Sequence, residues 1–136
     1  MTQLKCVLVL DGTLPGGVIA NTAAILALSL GRRHPELVGE DLPDAEGRER
    51  AGITRLALPV LKATPEQLST LRQTLHAETG LTVVEVTSAT RTTRSYEEYA
   101  AHLAVTPETS LRYQGLALYG PSERVTGHTG SLPLLR

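Results

Sequence analysis

The sequence predicts an α/β domain in which helices cover both faces of a largely parallel sheet. Three observations carry this expectation: an apolar strand pattern running through a glycine turn into an apolar helix, a second helix opened by a full capping signature, and alternation of strands with helices along the chain. Such alternation implies crossovers, and right-handed ones, because a right-twisted strand returns onto its sheet only that way. The 136 residues are near the usual size of one domain, and no internal repeat or linker divides them. Residues 1–136 are therefore read as a single domain.

Lys5 to Leu10 reads Lys-Cys-Val-Leu-Val-Leu, a nearly continuous apolar run ending at Asp11-Gly12, the pattern of a strand covered on both faces. Pro15-Gly16-Gly17 then breaks the chain. Val18 to Leu30 is apolar apart from Asn21, Thr22 and Ser29, too long for a strand and too short to span a bilayer. It reads as a helix ending near Gly31, with Arg32, Arg33 and His34 favourably placed against the helix dipole. Being apolar nearly all the way round, this helix needs cover beyond its sheet side. A homodimer interface is the economical source of that cover, and the chain's own loop from Pro35 to Gly52 is the other. That loop, rich in proline, glycine and charge, reads as the least structured stretch and the only candidate lid.

Ile53 to Leu61 is the second expected strand, with Pro59 marking an edge position or a bulge. In the next helix Thr64 can cap, Pro65 suits the first helical position and Gln67 completes a capping box. Leu68, Leu71 and Leu75 form its apolar stripe, and Gly80 ends it. Leu81 to Val86 is the third strand. Ser95 and Glu98 make another capping box, opening a helix whose stripe is Tyr96, Tyr99, Ala100 and Leu103. Tyr113 to Tyr119 supplies the fourth strand, stopped by Gly120-Pro121.

The chain carries 13 basic and 14 acidic side chains, a net charge of −1. Proteins held to phosphate backbones carry a clear basic excess, so this balance argues against a dedicated nucleic-acid binder. Arg32, Arg33, Arg48, Arg50 and Arg55 nevertheless fall within one stretch and form a candidate local patch. With no Phe or Trp and four Tyr, base-stacking platforms are scarce and the core must be aliphatic. Cys6 is the single cysteine and sits among apolar residues, which reads as an inert buried thiol in a reducing compartment. Met1 to Lys5 lacks the apolar stretch and cleavage site of a signal peptide, and no segment approaches the about 20 uncharged apolar residues that span a bilayer. A cytoplasmic protein without membrane contact is expected.

Ligands of open α/β sheets sit beyond the carboxyl ends of the strands, which here means Asp11 to Gly17, Thr87 to Thr93 and the surroundings of Gly120. The Asp11 turn aims free backbone N–H groups, those of Gly16 and Gly17 among them, at whatever lies ahead of the first helix, a geometry that favours anions. A tight connecting turn is the other reading, since neither Gly-Lys-Ser/Thr nor GxGxxG is present. Asn21 must find hydrogen-bond partners if it is buried, and site and structural roles for it both stay open. Ser88, Thr90 and Thr92 group hydroxyls around Arg91, which could bind a carboxylate or phosphate. An ordinary polar loop accounts for them equally well. His34, His76, His102 and His128 lie on different elements, and only Glu98 with His102 has the one-turn spacing of two metal ligands. Two ligands make no site, so a surface helix pair is expected there, with no metal and no cofactor. No GxSxG elbow and no Ser-His-Asp or Cys-His-Asn set can be nominated, so catalytic residues remain unassigned.

Two stretches together carry a resemblance: Lys5-Cys-Val-Leu-Val-Leu-Asp-x-x-Leu-Pro-x-Gly-x-Ile-Ala-Asn21, and Gly115-Leu-Ala-Leu-Tyr-Gly-Pro121 with Thr129-Gly-Ser-Leu-Pro-Leu-Leu135. The chain resembles a family of uncharacterised bacterial proteins known only as a domain of unknown function. That family is in turn similar to the second class of peptidyl-tRNA hydrolases, found in archaea and eukaryotes. The resemblance implies a three-layer α/β/α fold, a four-stranded, mostly parallel mixed sheet and a dimer. In the hydrolases a lysine follows the glycine at the start of the first helix and a histidine lies one to two turns on; here Val18 and, approximately, Ile25 hold those places. After the third strand the hydrolases carry Asp-Ala-Gly-Arg-Thr, whereas this chain has Ser88-Ala-Thr-Arg-Thr92. A neutral serine cannot hold a lysine or act as a carboxylate base.

These readings converge on a homodimer that binds a small polar or anionic ligand between Asp11 to Asn21 and Ser88 to Thr92. The second expectation is a hydrolase of an ester or amide of tRNA, or of a smaller acyl conjugate, using Asp11, Asn21, Arg91 and Thr92. The third is a structural or partner-binding dimer whose apolar helix is the interaction surface. Loss of the lysine, together with the charge balance, disfavours tRNA as the partner.

Overall fold

In the computed structural model, which describes residues 3–136, the opening apolar run forms β1 (Leu4–Asp11), whose last six residues are all buried. Met1 and Thr2, where the N-terminal stretch read above begins, lie outside the described residues. The chain continues through α1 (Gly16–Arg33), a two-stranded ribbon of β2 (Leu42–Pro43) and β3 (Glu49–Arg50), β4 (Val60–Ala63) and α2 (Pro65–Leu75). Then come β5 (Thr82–Thr87), α3 (Tyr96–Val105), β6 (Tyr113–Pro121) and α4 (Ser122–Thr129). The main sheet has four strands in the order β4-β1-β6-β5.

The expectation of a mostly parallel sheet is corrected: β1 and β4 are its one parallel pair, while β6 runs antiparallel to both β1 and β5. Strands β4, β1 and β5 do point the same way, as the crossovers through α1 and α2 require. The chain leaves β5 and re-enters at β6 from the same end of the sheet, where Thr87 pairs with Tyr113 and the Ser88 N–H donates to the Arg112 carbonyl. A return at the same end forces an antiparallel strand. By inserting between β1 and β5, β6 separates strands that would otherwise be parallel neighbours.

Two apolar clusters cover the two faces of the sheet, which makes the three-layer arrangement. Val7, Val9, Leu61, Leu116 and Leu118 meet Leu68 and Leu75 of α2 and Val125 of α4. Cys6, Leu8, Leu10, Ala117 and Tyr119 meet Leu26 and Leu30 of α1. Alternation along β1 and β6 sends neighbouring residues to opposite clusters, as the pleat demands. The approach of α1 to β6 depends on Gly115: a Cβ there would come within 2.9 Å of Leu10 Cδ1, 3.0 Å of Thr22 Cγ2 and 3.1 Å of Leu26 Cδ1.

Local capping chemistry carries α2, where the Gln67 N–H donates to Thr64 Oγ1 at 3.1 Å and the Thr64 N–H to Gln67 Oε1 at 2.9 Å. In α3 the box is half-formed. Ser95 Oγ accepts from the Glu98 N–H, but Glu98 Oε2 reaches the Arg94 N–H instead. The stripe expected on α3 enters no core, for the helix buries no residue and Tyr96 is 83% exposed. The second strand is much shorter than Ile53 to Leu61, beginning only after Pro59, which has no N–H to donate to a ladder. Residues 53–55 fold back instead on 37–39, where the Gly39 N–H donates to Ile53 O and the Arg55 N–H to Leu37 O. The loop from Pro35 to Gly52 is likewise more ordered than expected, holding a 3-10 turn at Pro35–Leu37 and the β2–β3 ribbon. α4 was not foreseen; only Val125 and Thr129 of it are buried, a stripe too short to register in the sequence.

Cover for α1 is divided. Thr22, Leu26 and Leu30 face the sheet and are buried. Leu37, Leu56 and Leu58 pack into the same cluster, so the chain itself covers one flank. Leu28 stays 79% exposed and Ile25 38% exposed. Leu26→Ala is expected to cost about 2–5 kcal/mol by opening a cavity, and Gly115→Ala about 1–3 kcal/mol by overpacking. Both should lower the urea midpoint of unfolding while leaving the slope unchanged.

Candidate functional site

Strand direction gathers the carboxyl ends of β1, β4 and β5 and the start of β6 at one end of the sheet. Asp11 aligns with Ala63 of β4 and lies one residue past the Leu10–Gly115 pair, on the α2 face of the sheet, while Gln114 at the start of β6 turns to the α1 face. Ser88 to Thr92 follows β5 at the same end, two strand spacings from β1, about 10 Å. The two segments nominated from the sequence thus share this end, with Gln114 between them.

Asp11 is only 1% exposed. Its Oδ1 accepts from the Thr13 N–H at 2.9 Å and from Thr13 Oγ1 at 2.6 Å, a side-chain turn that steers the chain out of β1. Its Oδ2 is buried without a partner. Gln114 is 3% exposed, and its Nε2 donates to Thr22 Oγ1 at 2.9 Å while Oε1 is also buried without a partner. The buried polar residue of α1 is therefore Thr22, and Asn21 is exposed. Helix geometry explains the exchange: Thr22 shares the four-residue spacing of Leu26 and Leu30, and Asn21 sits about 100° away from it. That spacing is legible in the sequence and could have singled out Thr22. Nothing in the sequence marks Gln114, because its role depends on β6 lying beside β1.

The start of α1 has no side-chain cap and no acidic residue in its first turn. Its first chain-reversing bond runs from the Ile19 N–H to the Pro15 carbonyl, which leaves the earlier amides of Gly16, Gly17 and Val18 outside the helical ladder. Gly16 and Gly17 are exposed, and no atom lies within 4 Å of where a Cβ would stand on either. Sterics do not require glycine there; its absence of side chain leaves the approach open.

The hydroxyls after β5 mostly serve their own backbone. Thr90 Oγ1 donates to the Thr87 carbonyl, and Thr92 and Thr93 both donate to the Ala89 carbonyl. They tie down the 3-10 turn Ser88–Arg91, while Ser88 is half-buried. Arg91 is exposed and, among the described residues, makes no ion pair. Of the nominated residues only Thr90 lines a groove of about 700 Å³ that runs between α1, β5 and α3.

Three arginines of the candidate patch are held in local pairs, Arg48 and Arg50 on Asp44 and Arg55 on Glu40, while Arg32 and Arg33, in the last turn of α1, make no ion pair among the described residues. His34 meets Thr82, His76 meets Glu108 and His128 meets Glu78. Glu98 and His102 do not pair, since His102 faces Thr106. Among the described residues no three metal-ligating side chains lie together. No helix is long and apolar enough to cross a membrane.

Burial pushes the Cys6 thiol up to about 11. Because the native state keeps this proton above the ordinary value of 9.0, the unfolded chain binds fewer protons across that window, and stability falls as pH rises from 9.0 toward about 11. Cys6→Ala should flatten that part of a pH–stability profile. Cys6 in the native protein should resist a thiol-labelling reagent at neutral pH and react at once in denaturant.

A family model described as a protein of unknown function, DUF2000, matches residues 4–136. A solved protein of unknown function from Agrobacterium tumefaciens strain C58, Atu0240, superposes with a TM-score of 0.90 at 18% identity, covering 98% of each chain. At that identity the likeness shows the fold. No curated protein matches the chain.

Proposed function

The chain belongs to the DUF2000 family of proteins of unknown function, and from that premise we propose that it is a homodimeric binding protein for a small anionic ligand that also carries a hydrogen-bond donor. One observation carries the reading: Asp11 Oδ2, at the end of β1, is a buried acceptor without a partner. A buried acceptor left unmade costs about 1–3 kcal/mol, so the fold retains a cost here that a donor on the ligand offsets. The uncapped amides at the start of α1 and the free guanidinium of Arg91 supply the complementary sites for the anionic group. Hydroxy acids, amino acids and phosphate esters with a free hydroxyl have both features.

Binding fits better than hydrolysis. Within the peptidyl-tRNA hydrolase-like architecture that the resemblance implies, the hydrolase's lysine, histidine and aspartate positions hold Val18, Ile25 and Ser88. The homodimer is supported by the outer strip of α1, where Leu28 and Ala24 are exposed on the most apolar helix of the chain.

A thermal-shift and calorimetry panel of malate, serine, glycerol 3-phosphate, inorganic phosphate and acetate tests the ligand class. Members combining donor and anion are expected to stabilise the protein, by about 2.7 kcal/mol at a hundred times Kd. Asp11→Asn keeps an Oδ1 for Thr13 but replaces the free acceptor with a donor, and should weaken binding at least tenfold with the fold intact. No response to any member would overturn the reading. Leu28→Glu should turn a dimer into a monomer in light scattering at micromolar concentration, and a monomeric parent chain would remove the dimer.

A further inference from the structure

We propose that the outer edge of β5, with the groove between α1 and α3, binds an extended acidic peptide that joins the sheet as an added strand. This site is separate from the Asp11 end of β1. The sheet has two edge strands, and the chain treats them differently. The outer edge of β4 is occupied by the protein's own C-terminal segment: the Lys62 N–H donates to the Pro133 carbonyl and the Leu135 N–H to the Val60 carbonyl, each at 2.9 Å. The outer edge of β5 has no such cover along residues 82–85, whereas Val86 and Thr87 are buried beside the turn that follows. β5 pairs with β6 alone, and among the described residues no segment beyond the turn that follows it, whose Thr90 Oγ1 donates to the Thr87 carbonyl, hydrogen-bonds to the backbone of Thr82–Thr87.

Open edges are normally guarded by lysine, proline, a bulge or a covering element. β5 reads Thr-Val-Val-Glu-Val-Thr, without lysine or proline; its one register shift lies at its end, between Val86 and Thr87, and α3 buries no residue against it. What separates the two is the groove of about 700 Å³, within the size range of built ligand sites. Val84 and Val86 form its floor, Ile25 and Ser29 one wall, and Tyr99 and Leu103 the other. A strand edge beside a helix, with apolar side chains on either side, is the geometry in which a peptide gains backbone hydrogen bonds from the edge and specificity from alternate side chains.

Charge selects the occupant. Arg33 and Arg94 both line the groove, and neither makes an ion pair among the described residues. The one acid in the lining, Glu85, is engaged by Arg72 at 2.6 Å. Glu97 and Glu98, in the first turn of α3, do not line the groove. Arg33 lies at the start of β5, since its neighbour His34 bonds to Thr82, and Arg94 lies in the segment leaving the other end. The matching peptide carries an acid near each end of an apolar stretch of about six residues, which at 3.3 Å per residue is about 20 Å. A second copy of this chain fits poorly, because a two-fold contact would bring the same two guanidiniums against themselves.

Fluorescence anisotropy tests this with labelled hexapeptides that alternate valine or tyrosine with polar residues and carry aspartate at both ends, one end or neither. Doubly acidic members should bind best, and loss of either acid, Arg33→Ala or Arg94→Ala should each weaken binding about tenfold. Methylation of alternate peptide nitrogens along one side should abolish binding, and binding should slow amide exchange along the outer edge of β5. The proposal fails if no member saturates or if N-methylation makes no difference. It also fails if Arg33→Glu or Arg94→Glu dissociates a dimer in sedimentation, which would assign the groove to a second copy.

Discussion

Most of this structure depends on the placement of β6 between β1 and β5. Eight of its nine residues are buried, and it pairs antiparallel on both sides. Its position demands glycine at 115, where Leu10, Thr22 and Leu26 close over the backbone. It sets Gln114 against Thr22, and it pushes β5 to the rim of the sheet. One placement therefore accounts for the packing of α1, the bond between Gln114 and Thr22, and the position of β5 at the edge.

The first helix shows how far composition is from burial. Nearly every side of it is apolar, yet only the stripe Thr22, Leu26 and Leu30 is buried. Leu37, Leu56 and Leu58 close one flank, and the other flank opens into the groove beside β5. Burying Thr22 is tolerated because Gln114 supplies a donor to its hydroxyl, a bond across 92 residues of sequence. The same bond commits the Gln114 amide nitrogen and leaves its oxygen without a partner.

Asp11 and Arg91 are legible as candidates because a polar group at a strand end, or a cation in a hydroxyl-rich turn, is a local signal. Asn21 is exposed, and the helical spacing of Leu26 and Leu30 marks Thr22 as the buried polar residue of α1. Thr90 and Thr92 turned out to fasten their own turn. Gln114 was invisible, since no local pattern distinguishes a glutamine beside a central strand from any other.

Local patterns alone decided β1, the capped start of α2, the extent of α1, the buried thiol of Cys6 and the α/β class. These features arise from periodicity, capping and turn chemistry acting over a few residues. The order of the strands, the single parallel pair, the partner of Thr22 and the uncovered edge of β5 were decided only by the folded chain. Each depends on which distant segments pair, and antiparallel and parallel neighbours draw on the same apolar runs. Nothing within β6 itself specifies that it should lie between β1 and β5 rather than outside them.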